Sequence, residues 1–157
     1  MKRAARGQAA VEFALVLPLM ALLLLGIVDF SRVFIASNTL TQASREGDRY
    51  GSLNWNDGAG IETRARAQLT TGGIAGGSTI VITYLDGGSA ALLGAYDDAT
   101  GGFVADPSCT RTPCSPIPGD LVKVQVTLPW RAQTAIIQAV LPQDLQLSGA
   151  TVSVIEQ

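Results

Sequence analysis

The chain opens with a long apolar segment, and shorter apolar segments follow much later. Residues 9–28 carry a single charge, Glu12, and their length is about that of a membrane-spanning helix. No Gly-Gly or Asn-Gly turn signal occurs before Gly51, and past residue 28 the pattern becomes amphipathic. We therefore predict one helix over residues 8–50, roughly 65 Å long, whose outer half projects beyond a bilayer. One side of that outer half carries Phe30, Phe34, Leu40, Ala43, Gly47 and Tyr50.

Residues 51–157 predict a small head of mixed helices and strands. Leu121–Leu128 alternates strictly, with valines on one face and polar residues on the other, as in a half-buried strand. The other predicted elements are helices at Ile61–Leu69 and Thr134–Leu141 and strands at Thr79–Leu85 and Leu145–Ile155. Gly87–Gly119 is predicted to be mostly loop, with Ala90–Ala95 and Gly102–Ala105 only poor strand candidates. The fold class is α+β: an antiparallel sheet needs a cover, and the apolar side of the long helix supplies it.

Composition and charge argue against several functions. A net charge of −2 lacks the basic patch that nucleic-acid binding requires. Histidine is absent, so no Ser-His or Cys-His catalytic arrangement exists, and the glycine pairs lack the lysine of a phosphate-binding loop. Asp97, Asp98 and Asp106 do not have the spacing of a calcium loop. We expect no catalytic residues, no metal and no cofactor.

The distribution of basic residues predicts the orientation in the membrane. Lys2, Arg3 and Arg6 precede the apolar segment, and the next base is Arg32. By the positive-inside rule the N-terminus is cytoplasmic and the head is exported across the cytoplasmic (inner) membrane.

Cys109 and Cys114 are consistent with export. They could form a disulfide in an oxidising compartment. A metal site is the alternative, but two thiolates without histidine do not supply four ligands.

Glu12 is the unusual feature of the apolar segment. A charge at the centre of a membrane helix costs roughly 2.5–3.5 kcal/mol, so an intramembrane carboxylate suggests a function. It follows Gly7 by five positions and precedes Phe13. This spacing resembles the processing site of Tad/Flp-type pilins, and the segment from Gly7 to Tyr50 resembles the TadE-like pseudopilins in particular. The sequence motifs on which the resemblance rests are GQAAVEFAL from Gly7, Pro18, GIVDF from Gly26 and ASREG from Ala43.

The resemblance implies a pilin-like lollipop that acts as a minor pilin. A prepilin peptidase would remove the leader, residues 1–7, by cutting between Gly7 and Gln8. Glu12 would pair with the new amine of Gln8 in its own or a neighbouring subunit, Phe13 would pack between helices, and Pro18 would let the helix bend or melt during assembly. The implied partners are the peptidase, the major pilin and other minor pilins, membrane platform proteins, an assembly ATPase acting indirectly, and membrane lipid.

Other interpretations stay open on the sequence alone. The chain could form the main filament itself, or remain an uncleaved single-pass protein whose head binds an extracytoplasmic partner. The segment Phe13–Ile27 could also belong to a cleaved secretory signal, although the residues after it are bulky. Glu12 could be an interfacial carboxylate without a role, and Pro18 an ordinary transmembrane proline.

Overall fold

A computed structural model describes residues 4–74, 76–140 and 145–156. Its first element is a single helix, α1 (Ala4–Gly51), which continues through Pro18. The long helix predicted from the sequence is therefore confirmed, with its start four residues earlier. The described residues of the expected leader, 4–7, lie in the same helix as the apolar segment.

The described part of the head consists of two short helices and one sheet. Helix α2 spans Gly58–Thr71. Its N-cap is Asp57, whose carboxylate accepts a hydrogen bond from the Gly60 backbone N–H at 2.9 Å. Helix α3 (Ala135–Val140) begins one residue later than predicted, and Leu141, its predicted last residue, lies outside the described residues. The five strands are antiparallel in the order β3-β2-β1-β4-β5. Their bounds are β1 Thr79–Leu85, β2 Leu92–Asp97, β3 Gly102–Ala105, β4 Leu121–Pro129 and β5 Gln146–Val154.

The expectation that Gly87–Gly119 is mostly loop was wrong for β2 and β3. These strands pair as a hairpin, with Gly94 opposite Ala105 and Asp97 opposite Gly102. Gly94 lowers the strand propensity of the sequence, but the packing requires it. A Cβ at this position would lie 2.2 Å from the Val104 carbonyl oxygen and 2.5 Å from the Phe103 ring. The neighbouring strand therefore approaches so closely that only glycine fits at position 94, although glycine disfavours strand formation locally.

The hydrophobic core lies between the sheet and the outer half of α1. The alternating valines of β4 (Val122, Val124 and Val126) are fully buried against Leu40 and Ala43 of α1. Helix α2 completes the core with Ile61, Ala65 and Leu69, which are also fully buried. Full burial of each large side chain contributes roughly 1.5–3 kcal/mol, so this interface is the main source of the head's stability.

Helix α1 and strand β5 approach each other closely at Gly149. A Cβ there would lie 2.6 Å from the Leu40 carbonyl carbon and 2.7 Å from the Thr41 backbone nitrogen. The hydroxyls of Ser44 and Thr151 join the same two elements by a hydrogen bond of 2.8 Å, and Ser44 is fully buried. The helix therefore rests directly on the backbone of the last strand.

The side of α1 that packs on the head differs from the predicted one near the membrane. Phe30 and Phe34 are 70% and 61% exposed, whereas Ala36, Leu40, Ala43 and Gly47 are buried. Asp29, which precedes both phenylalanines, is 3% exposed, and at 3.6 residues per turn it shares one side of the helix with Ala36 and Leu40. Phe30 and Phe34 are therefore exposed because they lie on a different side of α1.

Asp48 is a buried carboxylate within this interface. It is 4% exposed, and Oδ1 has no hydrogen-bond partner among the described residues. It lies about 20 residues beyond the apolar segment, outside any span of that segment. Burial raises the pKa of Asp48 to about 6, although the Ser153 hydroxyl and backbone N–H oppose the rise.

We predict that Asp48→Asn stabilises the head at neutral pH. Because the pKa is higher in the folded than in the unfolded chain, ionisation of Asp48 destabilises the fold as pH rises from about 4 through about 6. The asparagine variant avoids this loss, so its free energy of unfolding should exceed that of the parent chain by roughly 2 kcal/mol at pH 8 and match it near pH 4. Denaturant unfolding of the full chain in detergent micelles measures both values, with exposed Asp98→Asn as the control. A variant that is less stable at pH 8 would contradict the prediction.

Candidate assembly segment

The first half of α1 is exposed along its whole apolar length. The segment has a mean hydropathy of 2.6, and none of it is buried within the chain. Among the described residues, α1 is the one helix long and apolar enough to cross a membrane. A helix that is apolar on all sides must be surrounded by lipid or by other helices.

The predicted site residues lie in the first four turns of this exposed segment. Gly7 is helical, and a Cβ built on it meets no atom within 4 Å. The Gln8 side-chain amide donates a hydrogen bond of 3.3 Å to Glu12 Oε1, one helical turn away. Phe13 is 67% exposed. Gln8 and Glu12 are therefore brought together within the chain, while Phe13 has no packing partner in the part of the head that the structure describes.

Pro18 lies inside α1 without ending it. Its missing N–H leaves the carbonyl of residue 14 without its usual helical donor. The helix is continuous in this structure, so bending or melting at Pro18 during assembly stays a prediction.

Asp29 is a site residue that sequence reasoning missed. It is 3% exposed at the membrane end of the head, and its two carboxylate oxygens accept hydrogen bonds from the backbone N–H groups of Gln133 and Thr134, at 3.3 and 3.2 Å. These residues immediately precede α3. An acid just past an apolar segment is a weak signal, and its partners are more than 100 residues away in the sequence.

Cys109 and Cys114 form the predicted disulfide, with an S–S distance of 2.00 Å. Arg111 lies within the closed loop and binds both oxygens of Asp120, with the Arg111 Nη1 to Asp120 Oδ1 distance at 3.0 Å. Burial alone would raise the pKa of Asp120. Hydrogen bonds from Arg111, Ile117 and Gly87 overcome that effect and hold the pKa below its ordinary value. The disulfide loop is thus fixed to the start of β4 by a partly buried charge pair.

The remaining loop acids take part in turns. The Asp106 carboxylate accepts a hydrogen bond of 2.8 Å from the Ser108 backbone N–H, and the Asp97 carboxylate accepts one of 3.1 Å from that of Ala99. In the described part of the chain, no three acidic, histidine or cysteine side chains form a group that could hold a metal ion.

Comparison with known proteins finds a family model that matches most of α1. Residues 7–49 match the family model described as TadE-like protein, which confirms the resemblance predicted for this segment. The matched region contains Gly7, Glu12, Phe13, Pro18 and Asp29 and ends before α2. No curated protein and no solved structure matched the chain.

We predict that Asp29→Ala loosens the connection between β4 and α3. The substitution leaves two backbone N–H groups without their charged acceptor, and such hydrogen bonds contribute roughly 1.5–3 kcal/mol each. Amide hydrogen exchange across residues 131–138 of the detergent-solubilised full chain should become roughly tenfold faster or more. Ser31→Ala is the matched control, since its exposed hydroxyl bonds only the Ile27 carbonyl. Unchanged exchange in the Asp29 variant would contradict the assigned role.

Proposed function

We propose that this chain, which presents a TadE-like segment on an exposed helix, is a minor pilin of a Tad-type pilus. A prepilin peptidase removes residues 1–7, and the mature chain enters the filament through residues 8–28 of α1. The head, residues 51–157, stays outside the membrane and lies on the filament surface or at its end. The observation that carries the proposal is the bare apolar half of α1, with Gly7, Glu12 and Phe13 at the offsets of the pilin processing site.

The exposed apolar half of α1 can be surrounded first by lipid and then by the helices of neighbouring subunits. From Gly7 to Val28 every described residue of α1 is exposed except Gly26, which is half-buried. Val11, Phe13 and Leu15 are 61%, 67% and 74% exposed, so a neighbouring helix can cover them without rearranging the head. The charge on Glu12 is tolerable at the membrane edge but requires a partner when helices pack around it. The amine of Gln8, created by cleavage, supplies that partner in register.

The proposed cleavage requires a local change in α1. The bond between Gly7 and Gln8 lies inside the helix, where both flanking residues have helical backbone. A peptidase acts on an accessible, opened bond, so the first turns must unwind. Glycine favours unwinding because it destabilises a helix by about 1 kcal/mol relative to alanine. Gly7 therefore gives access in two ways: it has no side chain, and it weakens the helix where the bond opens.

A minor role is favoured by the size of the head. The five-stranded head is built on one side of α1, from Asp29 to Gly51, and occupies more of the chain than the helix does. The TadE-like segment implies pilus machinery in general as partners. The specific set we propose is the peptidase, the major pilin, other minor pilins and the membrane platform, with the assembly ATPase acting from the cytoplasm.

We predict that processing occurs at Gly7. Intact mass and N-terminal analysis of the protein from its native membrane should show a chain that starts at Gln8. Gly7→Ala should cause uncleaved precursor to accumulate, because the added methyl group strengthens the helix and occupies the space at the bond. Gly26→Ala is the matched control, since a Cβ there also meets no neighbour, and it should be cleaved normally. A native chain that starts at Met1 would contradict the pilin mechanism and favour an uncleaved membrane protein. A start beyond Asp29 would indicate a removed signal peptide.

We predict that Glu12→Leu is cleaved but does not assemble. The substitution makes the apolar segment more hydrophobic, so insertion and cleavage should persist, while the partner of the new Gln8 amine is lost. Quantification of the protein in sheared filaments should show at least a tenfold loss, a factor that corresponds to about 1.4 kcal/mol. Glu46→Gln, which removes a half-buried acid that pairs with Arg49 on the outer half of α1, is the control and should assemble normally. Normal incorporation of the Glu12 variant would overturn the proposed register role.

A further inference from the structure

A groove of about 550 Å³ opens at the end of the head that faces the apolar segment. Three separate parts of the chain form it: α1, the glycine loop after α2, and the end of β4 with the residues that follow. The residues that define it are Arg32, Ile35, Gly73, Leu128, Trp130 and Arg131. Arg32 lies four residues beyond Val28, about 6 Å along the helix axis from the last residue of the apolar segment. In a membrane-anchored chain this groove lies at the level of the lipid headgroups.

The groove has two cations and a neighbouring acid that is already engaged. Arg32 and Arg131 are exposed, and neither takes part in an ion pair within residues 4–74, 76–140 and 145–156. Asp29, one helical turn before Arg32, accepts hydrogen bonds from Thr134 and Gln133, and these bonds together with the charge of Arg32 lower its pKa. After removal of the leader, 8 bases remain against 13 acids, so this pair is a local positive site on an acidic exported chain.

The surface around the groove is apolar and aromatic. Phe30, Phe34 and Ile35 are exposed on α1, by 70%, 61% and 59%, just past the apolar segment. Trp130 is half-buried at the groove, and aromatic residues concentrate where lipid meets water. Helix α3, with the sequence AIIQAV, follows the loop that Asp29 holds at the same end of the head. The base of the head therefore has the composition of a surface that contacts a membrane.

We propose that this groove binds the phosphate of an anionic phospholipid headgroup in the outer leaflet of the cytoplasmic membrane. Arginine presents a planar fork of donors that matches a phosphate, and two guanidinium groups together favour a lipid with net negative charge over a zwitterionic one. The apolar residues around the groove contact the upper acyl region. The contact holds the head against the membrane before assembly, and it is broken when the chain enters a filament. The inference rests on the membrane anchoring in the proposed function.

The test uses the full chain in micelles containing equal amounts of phosphatidylglycerol and phosphatidylcholine. Intact-complex mass spectrometry counts the lipids that remain bound and reports the N-terminus in the same spectrum. The parent chain should retain phosphatidylglycerol preferentially, by roughly fivefold or more. Arg32→Gln with Arg131→Gln should lose the preference, whereas Arg32→Lys with Arg131→Lys should keep part of it. The control, Arg45→Gln with Lys123→Gln, changes the charge equally at positions roughly 20 Å or more from Arg32 and Arg131 along α1 and β4, and it should retain the full preference.

Several outcomes would overturn the proposal. These are the absence of a preference in the parent chain, an equal loss in the control, and no loss in the glutamine pair. Millimolar inorganic phosphate should not displace the lipid. Complete displacement by phosphate would show that the groove is a site for free anions. Hydrogen exchange of β4 and β5 in each variant shows whether the head is still folded. The lipid preference does not depend on cleavage after Gly7, so failed processing and failed lipid binding are separate results.

Discussion

Leu40, Ala43 and Gly47 of α1 lie against the inner face of the sheet, and the arrangement of the chain depends on this contact. The sheet has one apolar face, which α1 and α2 cover. On the N-terminal side of Asp29 the side chains of α1 lose this cover. One continuous helix therefore has two environments: protein on one side of its outer half, and lipid or neighbouring subunits around its inner half.

The features that were predictable from sequence are those recorded in local patterns. The alternation of Val122, Val124 and Val126 gave β4 correctly, and the apolar run gave α1. The TadE-like residues from Gly7 to Phe13 were found by their spacing, and the family match confirms the segment without testing their roles. Strands β2 and β3 were missed because local propensity treats Gly94 as unfavourable in a strand. In the fold Gly94 is required, because the neighbouring strand approaches too closely for a side chain.

The features that were not predictable depend on residues far apart in the chain. Asp29 and Thr134 are 105 residues apart, as are Ser153 and Asp48. The groove at the base of the head combines side chains from three segments, none of which is unusual alone. Each property arises only when the fold brings the groups together. The properties are the loop that Asp29 holds, the raised pKa of Asp48, and the pair of arginines at the groove.

The position of β5 has a consequence for biogenesis. This strand is the last described element, yet it lies beside α1, with Gly149 against Leu40 and the Glu156 backbone N–H donating to the Ser52 carbonyl at 2.9 Å. In the order of synthesis α1 precedes β5 by more than 90 residues, although the two pack together in the fold. The core between α1 and the sheet cannot close until residues 146–156 have been made. A chain interrupted before β5 would leave β4 as an open edge strand, and an unpaired edge is a template for pairing with other chains.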